Sequence, residues 1–199
     1  MSTDTKFHVH HDAPEVVGRR ERLGVRLLIV ADGSFVFALI FSYFYLRNLD
    51  QNGGWIPDGG HTLATSTGWK VVIPLIIAAL VHRLAMRDPS HQRSFSAIAL
   101  LSLAYGAYAQ FDQLANLPFI DGESGAFEGA YASCVTLIAG GNLFHYIVAI
   151  FLALGLVLRS GRTNVNPVLE SWRMRTAGSW FTWIAIAGVA ASAITPSFM

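Results

Sequence analysis

The sequence predicts an all-α integral membrane bundle of five transmembrane helices, with the amino terminus in the cytoplasm and the carboxy terminus outside. Two observations carry this. The first is a set of five apolar runs: Gly24–Leu46, Gly68–Met86, Ser94–Leu117, Gly129–Leu158 and Thr176–Thr195. At about 1.5 Å per residue, each is long enough as a helix to cross a hydrocarbon core of about 30 Å. The second is the distribution of charge. Of 14 Lys and Arg residues, only Arg47 and Lys70 lie beside the first and third connections, which carry Asp50, Asp58, Asp112, Asp121, Glu123 and Glu128. The others are Lys6, Arg19, Arg20, Arg22 and Arg26 at the start, Arg83, Arg87 and Arg93 around the second connection, and Arg159, Arg162, Arg173 and Arg175 around the fourth. Basic loops stay in the cytoplasm, and every connection obeys the alternation.

Composition narrows the class further. A hydrophobic fraction of 53% with 14% charged residues is unusual for a soluble domain of 199 residues. The net charge of +1, once divided by side, reports topology and argues against a nucleic-acid partner. A single cysteine, Cys134, excludes an internal disulfide and any cysteine-based zinc or iron–sulfur site. Residues 1–22 read as a polar cytoplasmic tail without a cleavable signal, and 23–199 as one transmembrane domain.

The first helix carries Ser34, Ala38 and Ser42 at four-residue spacing, and the third carries Ser102, Gly106 and Gln110. The fifth pairs Gly188 with Ser192 and Ala187 with Ala191. Such stripes let helices approach closely and are ordinary packing devices in any membrane bundle. Pro74 interrupts the second helix, where neighbouring groups must satisfy the freed backbone. Trp55, Trp69, Trp172 and Tyr131 fall near the expected interfaces and read as aromatic anchors.

Asp32 is the most informative polar residue. It lies eight residues into the first run, about 12 Å from its cytoplasmic end. A carboxylate at that depth costs several kcal/mol unless paired, hydrated or protonated, which makes it a functional candidate. The alternative is a structural acid reaching back toward Arg26. Asn142 and His145, three apart on the fourth helix, share a face, where an interhelical hydrogen bond competes with a ligand or proton-relay role. Upright helices place His145 about 8 Å further from the cytoplasm than Asp32, which argues against direct contact. Asp112 and Gln110 are expected to be exposed near the outer end of the third helix, with Asp112 a weak candidate. His8, His10 and His11 are better read as a solvated tail than as a metal site.

Catalytic chemistry is hard to place on this chain. One central imidazole cannot ligate haem and copper centres, and there is no nucleotide-type Gly-rich loop, nucleophile elbow or HExxH. A carrier would more often show an internal repeat, and five spans do not halve. No catalytic, cofactor-binding or metal-ligating residue is therefore assigned.

Several segments resemble subunit III of the haem-copper respiratory oxidases. Ala31-Asp32-Gly33-Ser34-Phe35-Val36-Phe37, continuing to Phe41-Ser42-Tyr43-Phe44-Tyr45-Leu46-Arg47 and the loop Gly54-Trp55-Ile56-Pro57, is similar to that family's first core helix and the loop after it. Gly140-Gly141-Asn142-Leu143-Phe144-His145 resembles its Gly-x-His-x-x-His motif, with Asn142 in place of the first His. Trp180-Phe181-Thr182-Trp183-Ile184 departs from the Trp-His-x-x-Asp-like pattern of the family's last helix, and only Asp112 stands near its third-helix glutamates. The resemblance covers about Arg22 to Ala193 and implies a divergent, short five-helix bacterial form in the cytoplasmic (inner) membrane. It implies a non-catalytic subunit without redox centres, packed on catalytic subunit I near subunit II, with haem and copper in the partner. Structural phospholipid would occupy a cleft between its helices, support of proton uptake and turnover stability would be its role, and Asp32 would match the family's buried acid. Two alternatives remain: the accessory subunit of a nitric oxide reductase, and a small proton-coupled carrier.

Overall fold

The computed structural model describes residues 12–50, 54–56, 62–117, 129–162 and 166–195. Five helices account for nearly all of them: α1 (Pro14–Asn48), α2 (Thr65–Arg87), α3 (Gln92–Ala115), α4 (Ala130–Arg159) and α5 (Pro167–Ile194), with a single 3₁₀ turn, Pro89–His91, before α3. All five are long and apolar enough to cross a membrane. The protein is a multi-pass membrane bundle. Around its circumference the helices run α1, α5, α2, α3, α4 and back to α1, while α4 and α5 also meet across the middle.

Two helices begin well before their apolar runs. α1 starts at Pro14, so Pro14–Arg22 is not a separate tail but the first turns of the helix. Pro14 occupies the first helical turn, where its missing N–H is harmless. The extension is docked by Gly18, whose buried backbone lies flat on the Trp172 ring, and Glu21 stands 3.5 Å from Arg173. α5 starts nine residues before Thr176. There Asn166 Oδ1 accepts from the Val168 and Leu169 amides at 3.0 and 3.2 Å, and Pro167 supplies the first turn. Hydropathy marks where a helix is greasy, and caps mark where it begins. His8, His10, His11, Pro57, Asp58, Asp121, Glu123 and Glu128 lie outside the described residues.

The helices meet where side chains are smallest. At Gly106 any β-carbon would run into the Tyr146 ring, and at Gly188 it would meet Leu75 at 2.5 Å, so α3–α4 and α5–α2 close on glycine backbones. Around Pro74 both neighbouring helices bond the α2 backbone: Ser102 Oγ donates to the Pro74 carbonyl at 3.0 Å, and the Tyr146 hydroxyl donates to the Val71 carbonyl.

The Ser34, Ala38 and Ser42 stripe behaves otherwise, since all three residues are exposed and only Gly18 and Tyr43 of α1 are buried. Spacing identifies a smooth face without saying which neighbour it meets. Nor are Trp55 and Tyr131 interface anchors. Both are buried with Tyr43 in an edge-to-face aromatic cluster, centroids 5.0 to 6.3 Å apart. The loop carrying Trp55 is tied to the start of α4 by Ala130 N–H to Gly54 O and Tyr131 N–H to Trp55 O, while the Tyr131 hydroxyl donates to the Thr195 carbonyl at 2.6 Å. Trp69 is exposed, in keeping with an anchor, whereas Trp172 is half-buried against α1.

Candidate functional site: a carboxylate–imidazole pair at mid-membrane

Asp32 and His145 are in contact. His145 Nε2 lies 3.0 Å from both oxygens of the Asp32 carboxylate, and their side chains are only 4% and 10% exposed, His145 first. The expectation that depth separates them is wrong, because it took the start of the apolar run, Gly24, as the inner end of α1. Measured from the outer ends, Asp32 is sixteen residues from Asn48 and His145 fifteen from Ala130, about 24 and 22 Å. They are level.

The crossing of α1 with α4 and α5 explains how so short an acid reaches. Glycine flanks it on both sides: a β-carbon on Gly33 would touch Trp183 at 3.4 Å, and one on Gly141 would press on Phe35 at 3.3 Å. With no side chain at these points the axes come close, and a two-carbon acid spans the gap. Trp183 Nε1 completes the site from α5, donating to Asp32 Oδ2 at 2.6 Å. An indole N–H can only donate, so Asp32 serves it as an acceptor. The carboxylate finds its partners in a ring on α4 and a ring on α5, not in Arg26. That is the pairing a buried acid requires at this depth.

Around the pair, polar groups are distributed unevenly. Toward the end bearing the carboxy terminus, Asn142 Nδ2 donates to Gln110 Oε1 at 2.6 Å, and Gln110 Nε2 donates to Gln113 Oε1 at 2.6 Å. Gln110 is therefore buried, contrary to the exposed position expected of it. Its bond from Asn142 turns Gln110 toward α4. Asp112, on the opposite side of α3, is exposed and bonded only to Asn116 of the next turn at 2.9 Å, away from the site. Asn142 Oδ1 and His145 Nδ1 are buried without a hydrogen-bond partner, as is Trp180 Nε1. Trp180 meets the His145 ring edge-on at 6.1 Å.

The sequence singled out Asp32, Asn142 and His145 but missed Trp183, Gln110 and Gln113 as their partners. A signal existed for two of them. Gln110 continues the Ser102–Gly106 stripe that packs inward, and Trp183 sits in mid-helix, where a buried indole needs an acceptor. Gln113 carried none.

On the other side of the pair lies a groove of about 680 Å³ between α1, α4 and α5. Val25, Leu28, Phe151, Leu152, Ala177 and Trp180 give it an apolar wall. Its mouth, at the amino-terminal end of α1, is charged: Arg159 Nη2 bonds Glu170 Oε2 at 3.0 Å, and Arg173 sits between Glu170 and Glu21 at 3.8 and 3.5 Å. A long apolar trough with an ionic rim suits an acyl chain with its headgroup at the membrane surface. Comparison with protein-family models and with curated proteins returned no match.

Proposed function

We propose that this chain is a subunit III-like, non-catalytic component of a bacterial respiratory haem-copper oxidase in the cytoplasmic membrane. It packs on catalytic subunit I, which with subunit II holds the haem and copper. The observation that carries the reading is the apolar groove with its Arg159–Glu170–Arg173 rim, which suits a structural phospholipid at the surface where the basic loops lie. Two further features support it. Phe37, Phe41 and Tyr45 of α1, with Leu101, Tyr105, Tyr108 and Phe111 of α3, leave broad apolar faces uncovered, as expected of a subunit that meets other subunits or lipid. The one mid-membrane acid is held by His145 and Trp183 instead of opening into a substrate-sized cavity, which disfavours a carrier. Support of proton uptake then comes from the lipid-filled, basic-rimmed half of the bundle and not from Asp32 as a carrier toward the cytoplasm.

Extraction in mild detergent, with identification of the large subunits that accompany the chain, tests this. Stoichiometric recovery with an oxygen reductase is expected, and stripping the chain should leave the haem and copper spectra intact while turnover decays sooner. Recovery with a nitric oxide reductase would reassign the partner. Loss of the haem spectrum with the chain, or proton-driven solute uptake by the chain alone in liposomes, would overturn the proposal.

A further inference from the structure

We infer that the Asp32–His145 pair exchanges protons with the end of the bundle that bears the carboxy terminus, through water held along Asn142, Gln110 and Gln113. Two small cavities carry the argument. One, of about 20 Å³, lies between α1, α4 and α5, where Asn142 and His145 are the polar groups in an otherwise apolar lining. The other, of about 10 Å³, lies between α3, α4 and α5 and runs from Asn142 past Gln110 and Gln113 to Ser192, Thr195 and Leu63 at the helix ends. They share Ile138, Asn142 and Ala191, so they abut at the asparagine.

The unpartnered atoms lie where the two cavities join. Asn142 Oδ1 can only accept, and Nδ1 of a neutral His145 that donates through Nε2 is also an acceptor. Both groups are more than nine-tenths buried, and leaving two acceptors dry is costly. Water supplies the missing donors, and each space has room for about one water molecule beside these polar groups. Among the described residues no Lys, Arg, Asp or Glu lines either cavity, so the amides act by holding water rather than by titrating. A proton arriving along that water reaches His145 Nδ1, and the Nε2 proton then shifts toward Asp32; release reverses both moves. In the other direction the pair meets Trp180, Trp183 and an apolar groove, none of which carries protons. Water access of this kind belongs to the chain itself and is independent of any partner assembly.

Water-edited solid-state NMR on the full chain, ¹⁵N-labelled at histidine and reconstituted in bilayers, tests it. His82 is an internal reference: it is equally buried, packed on Phe181 and bonded to the Met174 carbonyl at 2.9 Å, and its Nδ1 is likewise without a partner, but neither cavity reaches it. Magnetisation from water should reach His145 several-fold faster than His82. Asn142→Leu should abolish that advantage, and Gln113→Leu, milder and nearer the surface, should reduce it with the His82 signal unchanged as the sign of an intact fold. Ala177→Phe, which fills the opposite groove, should leave it unaltered. Equal transfer to both rings overturns the inference, as does a His145 signal that responds to Ala177→Phe and ignores Gln113→Leu.

Discussion

The two sides of the Asp32–His145 pair are built from opposite materials. Toward the carboxy-terminal end the space is narrow, and Asn142, Gln110, Gln113, Ser192 and Thr195 break an otherwise apolar lining; toward the amino-terminal end it is many times larger and almost wholly aliphatic and aromatic. Trp180 stands on the boundary, its edge against His145 and its face part of the groove wall. The two spaces are thus separated by the Trp180 indole. Volume alone would not separate these roles. What separates them is whether the lining can satisfy a hydrogen bond, because an unmet polar group in a low-dielectric interior is expensive whereas an unfilled apolar groove is simply filled by lipid.

The largest expected effect comes from breaking the boundary at its acid. Asp32→Ala leaves the Trp183 N–H and the His145 ring without their acceptor, a loss of about 1–3 kcal/mol. Asp32→Asn should cost far less, since its amide oxygen still accepts from Trp183 and its NH₂ can donate to His145 in the other tautomer. Thermal unfolding in detergent should therefore rank the wild type and the Asn variant close together with the Ala variant well below. Equal loss in both variants would mean that the negative charge, not the hydrogen-bond geometry, holds the crossing.

A smaller effect is expected on the apolar side. Ala177→Phe and Leu152→Trp fill the groove without removing a polar partner, so stability should change little while co-purified phospholipid falls, as counted by mass spectrometry of lipid extracts. At its rim, Glu170→Gln removes the negative charge shared by Arg159 and Arg173. The arginines are 30% exposed, so the direct penalty should be about 1 kcal/mol or less. Freed of their counter-charge, they should favour anionic over zwitterionic lipid in the bound fraction. An unchanged lipid profile in all three variants would detach the groove from lipid binding.

The same contrast explains what the sequence disclosed. Five spans were legible because hydrocarbon thickness imposes a length that composition cannot disguise, and Asp32 and His145 stood out because polarity at membrane depth is costly. Their contact was not legible, since relative depth depends on where helices end. α1 begins ten residues before its apolar run, on a Gly18–Trp172 contact that no hydropathy pattern encodes. Asn166-Pro167 was a readable start signal for α5 that an apolar window passes over. Small residues were ambiguous for a different reason. Gly188 faces Leu75 and Ser34 faces outward, yet both belong to four-residue stripes, and only the partner's shape distinguishes them. Trp183 was hidden by its type, because tryptophan in a membrane protein is ordinarily read as an interfacial anchor.

The smallest expected effect lies outside the membrane and sets the scale for the others. Asp88, between α2 and the 3₁₀ turn, accepts from the Ser90 hydroxyl, from the Ser90 amide at 3.1 Å and from His91 Nδ1 at 2.8 Å. The Ser90 hydroxyl first, and His91 after it, hold its carboxyl below the ordinary value of 3.8. A carboxyl depressed in the folded state stabilises at pH values above its unfolded pKa, and that contribution disappears as pH falls through the folded value. Asp88→Asn should therefore be slightly less stable than wild type near neutrality and indistinguishable from it once the medium is acid enough to protonate the native carboxyl. Because the Asp88 side chain is about half exposed, the difference should also shrink with added salt, whereas the gap between Asp32→Ala and wild type should not. Unfolding midpoints for both variants at low and high ionic strength would measure this directly. A salt-sensitive Asp32 site would show that bulk ions reach the carboxylate, a degree of opening that two water-sized cavities do not provide.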